Sequence, residues 1–372
     1  MKLYIVVLTI CLLTGCQTIN EKTVGEGTSF QFYVGTSLRN EKDGIYKYLL
    51  KKDGRLEKIG LAAKSNNPSF LALSADRKYL VAVNEISNED GEGTVESYLI
   101  TEDSLAFISR SSSGGAHPCF VSVNDEGYVL TANYTGGNLG LLKLDNFGKL
   151  SDLLDIQQHS GSGYTDRQKS AHAHSARFDP INNLVIAADL GTNEIWFSHI
   201  DTNRQKLIPS YPLKIPMSPG AGPRHMAFHP NGNWLYVVNE LDCTVTLLRK
   251  DEKGNYQKAS SFSTLPDGYN EVNYCADIHI SSDGKFVYAS NRGHNSIAVF
   301  KVIPESGILK TEGQQSTHGE WPRNFALSPD EKYLLAANQN SGSITSFRRD
   351  QQTGLLEYID QIEAPDPVCI VF

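Results

Sequence analysis

Six times along the chain an alternating apolar run, a polar turn and a second apolar run follow one another in the same order. The clearest copies are Pro223-Arg-His-Met-Ala-Phe-His-Pro-Asn-Gly-Asn-Trp-Leu-Tyr-Val-Val-Asn-Glu240 and Pro322-Arg-Asn-Phe-Ala-Leu-Ser-Pro-Asp-Glu-Lys-Tyr-Leu-Leu-Ala-Ala-Asn-Gln339. The skeleton recurs over 68–85, 118–134, 173–190 and 275–292. Period-two alternation around a turn of Asp, Asn, Pro or Gly is the signature of a β-hairpin. The second runs close on Asn84, Asn133, Asp189, Asn239, Asn291 and Asn338, at intervals of 49, 56, 50, 52 and 47 residues. Gly35, in Phe-Tyr-Val-Gly-Thr, falls 49 residues before Asn84 and supplies a second strand without a first. Pro367-Val-Cys-Ile-Val-Phe372 supplies a first strand without a second. Third runs follow at 94–100, 244–249, 296–302 and 343–348, and the turn at Gly354-Leu-Leu-Glu-Tyr leads to a fourth. The pattern predicts an all-β fold, a seven-bladed β-propeller of four-stranded blades over 30–372. It is closed by splicing the N- and C-terminal strands into one blade, which leaves no free sheet edge.

The first residues follow another pattern. Lys2 precedes an apolar run from Leu3 to Leu13 that is too short for a bilayer, which takes roughly 20 residues. A charged start, a short apolar core and small residues describe a secretory signal. Its end, Leu13-Thr14-Gly15-Cys16, resembles the lipobox of bacterial lipoproteins. Residues 1–16 are therefore expected to be a lipoprotein signal peptide with Cys16 as the acylated residue, and the polar residues 17–29 a tether. This implies an envelope location, with membrane contact only through the lipid anchor. Cys119, Cys243, Cys275 and Cys369 lie outside any CxxC spacing and are expected to be buried free thiols.

Composition narrows the function classes. With 34 Lys+Arg against 42 Asp+Glu the formal net charge is −8. That balance argues against a nucleic-acid partner, whose phosphates need Lys and Arg. No Gly-rich phosphate loop or dinucleotide fingerprint occurs, so no cofactor is expected. No Ser nucleophile elbow occurs, so no acyl-enzyme is expected either.

In each hairpin the start of the first strand and the end of the second lie on the same face of the disc. The first-strand starts carry His117, His172 and His174, Arg224 and His225, Asp277, and Trp321 with Arg323. The second-strand ends carry Glu85, Tyr134, Glu240, and Arg292 with His294. Such residues converge at the mouth of the central channel, where a propeller holds a small ligand. His172 and His174, at i and i+2, should share one side of a strand. Two His without a third ligand fall short of a metal site, and no metal is expected. Asp277 reads either as a channel carboxylate or as the partner of Arg292. Arg224 and Arg323 read either as ligand-binding groups or as ties between blades, and the Asn series as turn caps.

Gly222-Pro-Arg-His-Met-Ala-Phe-His-Pro-Asn-Gly232, Val238-Asn-Glu-Leu241 and Ser290-Asn-Arg-Gly-His-Asn-Ser-Ile-Ala-Val-Phe300 together resemble the bacterial propeller-type 6-phosphogluconolactonases, over about Phe32 to Phe372. The superfamily is similar to the fungal carboxymuconate lactonizing enzymes. The resemblance implies hydrolysis of a sugar lactone such as 6-phosphogluconolactone. It implies His174 and Glu240 as the acid/base pair and Arg224 and Arg292 as anion-binding groups, with His172, His225, Asp277 and Arg323 in support. Asp277 stands where the family usually has Glu. The expected partner is a small-molecule lactone, with a monomer favoured. A phosphorylated cytoplasmic substrate and an envelope address pull in opposite directions. Two other readings stay open: a non-catalytic propeller that binds a partner or glycan, and an isomerase that opens or forms a lactone without water.

Overall fold

The computed structural model describes residues 28–37 and 42–372. The expected signal, Cys16 and the tether as far as residue 27 lie outside the described residues. Among the described residues, twenty-eight strands form seven four-stranded sheets. Blades two to seven run in chain order over 70–112, 118–158, 173–216, 223–263, 274–316 and 322–363. In blade one, Pro367–Val371 pairs with Phe30–Thr36, followed by Gly44–Leu50 and Leu56–Lys64. Val34 lies opposite Ile370 and Gly35 opposite Cys369, the splice predicted by the two half-units. A Cβ on Gly35 would lie 2.2 Å from the carbonyl oxygen of Pro68, so only glycine allows blade two to close against blade one. The first strands contact one another in sequence around the ring, and Pro367–Val371 touches both Pro322–Leu327 and Phe70–Leu73.

The core is seven separate wedges. Each apolar cluster joins two neighbouring blades, as Val81, Val83 and Val95 of blade two meet Val121, Val129 and Leu142 of blade three. This explains why second and third strands are apolar on both faces. Outermost strands keep one wet face and read as mostly polar, as in Leu56–Lys64. Tyrosines bolt blades together. Tyr236 Oη donates to the Gly307 carbonyl at 2.8 Å, and Tyr288 Oη to that of Gly354 at 2.8 Å.

Hairpin turns repeat one device. Ser74, Ser281 and Ser328 each donate to the carboxylate two residues on, Asp76, Asp283 and Asp330, at 2.7 Å. The closing Asn side chains are buried and structural. Asn133 Nδ2 donates to Ser113 O at 2.9 Å, Asn239 Nδ2 to Thr244 Oγ1 at 2.8 Å and Asn291 Nδ2 to Thr264 O at 3.1 Å. Cys119, Cys243, Cys275 and Cys369 are free and buried, as expected.

Candidate active site

The first strands of four blades break register after their first residue. The breaks fall between Pro118 and Phe120, Ala173 and Ser175, Pro223 and His225, and Pro322 and Asn324. A bulge leaves its extra residue out of the ladder and re-aims its side chain. The extra residues here are Cys119, His174, Arg224 and Arg323. Cys119, His174 and Arg323 line a cavity of about 280 Å³ at the channel mouth, and Arg224 reaches the carboxylate beside it. The rest of the wall is Glu85, Tyr134, Glu240 and Arg292 from second-strand ends, Tyr274 and Trp321 from the entries to blades six and seven, and Arg167. Trp321 adopts a left-handed φ of 64°, which costs a non-glycine residue about 1–2 kcal/mol. Its ring lies 5.4 Å from the Arg292 guanidinium. A larger hollow of about 450 Å³ beside Tyr211 and Tyr256, outside the channel, gathers no such set of charges.

Glu240 is the electrostatic centre. Its Oε2 accepts from Arg224 Nε at 3.0 Å and Arg292 Nη2 at 2.8 Å, and its Oε1 from Arg167 Nη2 at 3.1 Å. Burial by itself would raise its pKa. Arg292, Arg224 and Arg167 outweigh burial and bring the carboxyl down to about 2. Arg224 and Arg292 are also tied to the fold, Arg224 through Nη1 to the Ala276 carbonyl and Arg292 through Nη2 to the Cys275 carbonyl at 2.9 Å. Arg224 thus holds Glu240 and ties blade five to blade six at once.

His174 Nε2 lies 3.9 Å from Glu240 Oε2. That gap is too long for a hydrogen bond and short enough for one small oxygen to touch both groups. Burial, then Arg224, His225 and Arg323, push His174 well below its ordinary pKa, so the imidazole is neutral. Its Nδ1 lies 3.6 Å from the Cys119 Sγ. Burial keeps that thiol protonated by raising its pKa. A neutral imidazole, a fixed carboxylate and oriented guanidinium groups around one cavity suit proton transfer at a polarised carbonyl.

Both histidines of the Ala171-His-Ala-His174 segment pack on Tyr134, His174 edge-on at 5.4 Å, but they are used differently. His174 faces the cavity, whereas His172 lies before the strand, its ring stacked on Tyr134 at 4.5 Å and its Nδ1 2.9 Å from the Tyr134 carbonyl. Asp277 does not pair with Arg292. Its carboxylate takes His225 Nδ1 at 2.7 Å, His279 Nε2 at 3.0 Å and Asn324 Nδ2 at 2.5 Å, and it does not line the cavity. His225 sits between Asp277 and Arg224, with Arg224 Nη1 3.2 Å from its Nε2. Arg323 lies at the mouth, 3.8 Å from Glu85.

Sequence reasoning missed Arg167 and Tyr274. Arg167 comes from a single 3-10 turn, Asp166–Gln168, in the connection between blades three and four. The buried Gln168 holds that turn, donating to Leu190 O at 2.8 Å and accepting from Tyr164 N at 3.0 Å. Arg167 also donates to Tyr134 Oη at 3.0 Å. The one available signal is the 56-residue interval from Asn133 to Asp189, the longest of the series.

A family model described as "Lactonase, 7-bladed beta-propeller" matches residues 31–372. The chain is 36% identical over 351 residues to a 6-phosphogluconolactonase of Bacillus subtilis, covering 93% of this chain and 99% of that one. It is 36% identical over 291 residues to a 6-phosphogluconolactonase of Formosa agariphila, covering 75% and 80%. Among solved structures, a periplasmic gluconolactonase of Pseudomonas aeruginosa superposes with a TM-score of 0.87 at 29% identity, covering 93% and 99%.

Proposed function

The chain belongs to the seven-bladed β-propeller lactonase family, and from that premise we propose that it hydrolyses a sugar lactone in the cavity at the channel mouth. The observation that carries the mechanism is the 3.9 Å gap between His174 Nε2 and Glu240 Oε2, walled by guanidinium groups. A water held in that gap attacks the lactone carbonyl carbon while His174 takes its proton. Negative charge grows on the carbonyl oxygen and meets the guanidinium N–H groups of Arg224 and Arg292 that Glu240 leaves free. The tetrahedral intermediate then collapses. The ring C–O bond breaks, His174 returns the proton to the departing oxygen, and the product is a hydroxy acid. Glu240 stays ionised throughout, because its pKa of about 2 makes it a poor base. Its part is to hold Arg224 and Arg292 and to orient the water. Developing negative charge on the substrate also draws His174 back towards a useful basicity.

The proposal extends to place. The run Leu3–Leu13 and the ending Leu13-Thr14-Gly15-Cys16 support export and acylation at Cys16, and hence action in the cell envelope. The relative from Pseudomonas aeruginosa is itself described as periplasmic.

A pH-stat assay of a lactone panel, followed by mass spectrometry of the products, tests the activity. The expected result is acid release above the spontaneous rate and a product heavier than its substrate by one water. A product of unchanged mass would assign an isomerase. No turnover by the folded protein would favour a propeller that only binds.

A further inference from the structure

The four guanidinium groups at this site divide into two pairs. Arg224 and Arg292 are buried, 3% and 5% exposed at the side chain, and both are engaged by Glu240 Oε2 and by backbone carbonyls. Moving either towards a ligand would strip Glu240 of its compensation and leave buried charges unpaired. Arg167 and Arg323 differ. Arg167 is 47% exposed, sits on a turn rather than a strand, and is the one arginine on Glu240 Oε1. Arg323 is 23% exposed, and its carboxylate partner Glu85 is 3.8 Å away, a long contact that a ligand can outcompete. Both line the same cavity.

The charge around that cavity supports this division. Four guanidinium groups face two carboxylates, Glu85 and Glu240, while His174 is held neutral. Two positive charges remain at the mouth, where they are only partly desolvated. Planar guanidinium forks match the oxygens of phosphate or carboxylate.

We propose that Arg167 and Arg323, and not the buried Arg224 and Arg292, bind an anionic substituent of the lactone, a phosphate or a carboxylate. The assignment rests on the lactone-hydrolysis reading above. Both arginines swing from their present partners onto that substituent. Glu240 keeps its two buried arginines, and the reacting carbonyl is left against them. The 3-10 turn acts as the selective element. It is anchored by Gln168, with Arg167 as its displayed residue.

The test compares the wild type with Arg167→Gln, Arg323→Gln and the double variant, each checked for an unchanged melting temperature. Substrates are gluconolactone, its 6-phosphate and glucaro-1,4-lactone, whose anionic group is a carboxylate. The expected result is a fall in the ratio of kcat/KM for a charged over the neutral lactone, about tenfold for each arginine and about 100-fold for both. The larger fall tells phosphate from carboxylate. Equal losses on charged and neutral lactones would overturn the assignment. Calorimetric titration with inorganic phosphate gives a readout without turnover. The wild type should bind it and the double variant should not; equal binding, or none by the wild type, would also overturn the assignment. Failure of the wild type to hydrolyse any lactone would instead count against the activity itself.

Discussion

Glutamine in place of Glu240 should lower kcat by about a thousandfold and destabilise the fold at the same time. The substitution keeps the shape and removes the charge on which Arg224, Arg292 and Arg167 converge. Two of those arginines are buried and would lose their counter-ion, a loss worth about 3–5 kcal/mol. The carboxyl has its folded-state pKa lowered from 4.5 to about 2. Its contribution of about 3 kcal/mol is therefore complete above pH 4.5 and disappears as the pH falls towards 2. Acid unfolding followed by circular dichroism should lose that pH dependence in Glu240→Gln. A variant with wild-type melting temperature and acid profile would mean that the three arginines are compensated elsewhere.

Removal of residues 367–372 should prevent folding. The strand Pro367–Val371 is the innermost of blade one, and Val368, Cys369 and Ile370 are buried. Its loss exposes the edge of Phe30–Thr36 and leaves Asn324 Oδ1 without the Ile370 N–H that lies 2.7 Å away. Burying Val368 and Ile370 is worth about 2 kcal/mol each, and the partly buried Phe372 adds less, together a large share of the stability of an ordinary domain, about 5–15 kcal/mol. The expected outcome is insoluble protein on expression. A soluble variant that melts cooperatively near the wild-type temperature would mean that the ring holds without its splice.

Much of the fold was legible because its signals are local. Period-two alternation and turns of Asp, Asn, Pro or Gly act within one hairpin, the Asn closers mark its end at regular intervals, and Gly35 with Pro367–Phe372 marked the closure. The site was legible only in part. Residue types at strand ends gathered a wider set of candidates, from which the resemblance singled out His174, Glu240, Arg224 and Arg292, but a bulge has no periodic signature. The i, i+2 rule therefore treated His172 and His174 alike, whereas His174, the bulged residue, lines the cavity and His172 does not. Arg167 escaped because its position depends on hydrogen bonds of Gln168 across a turn, which leave no pattern in the chain. That Arg224 and Arg292 are both engaged by Glu240 could not be read from spacing, since the three residues come from different strands of blades five and six.

The pH dependence of kcat/KM for lactone hydrolysis, measured on the wild type and on His174→Ala, tests the catalytic claim most directly. His174 acts in its neutral form, and burial with neighbouring arginines lowers its pKa well below 6.5. The wild-type rate, corrected for spontaneous hydrolysis, should thus stay level as the pH drops through 6.5 and decline only in more acidic buffer. His174→Ala should fall by about a thousandfold across the range. Wild-type rates in His174→Ala, or a wild-type acid limb centred at 6.5 or above, would contradict the account.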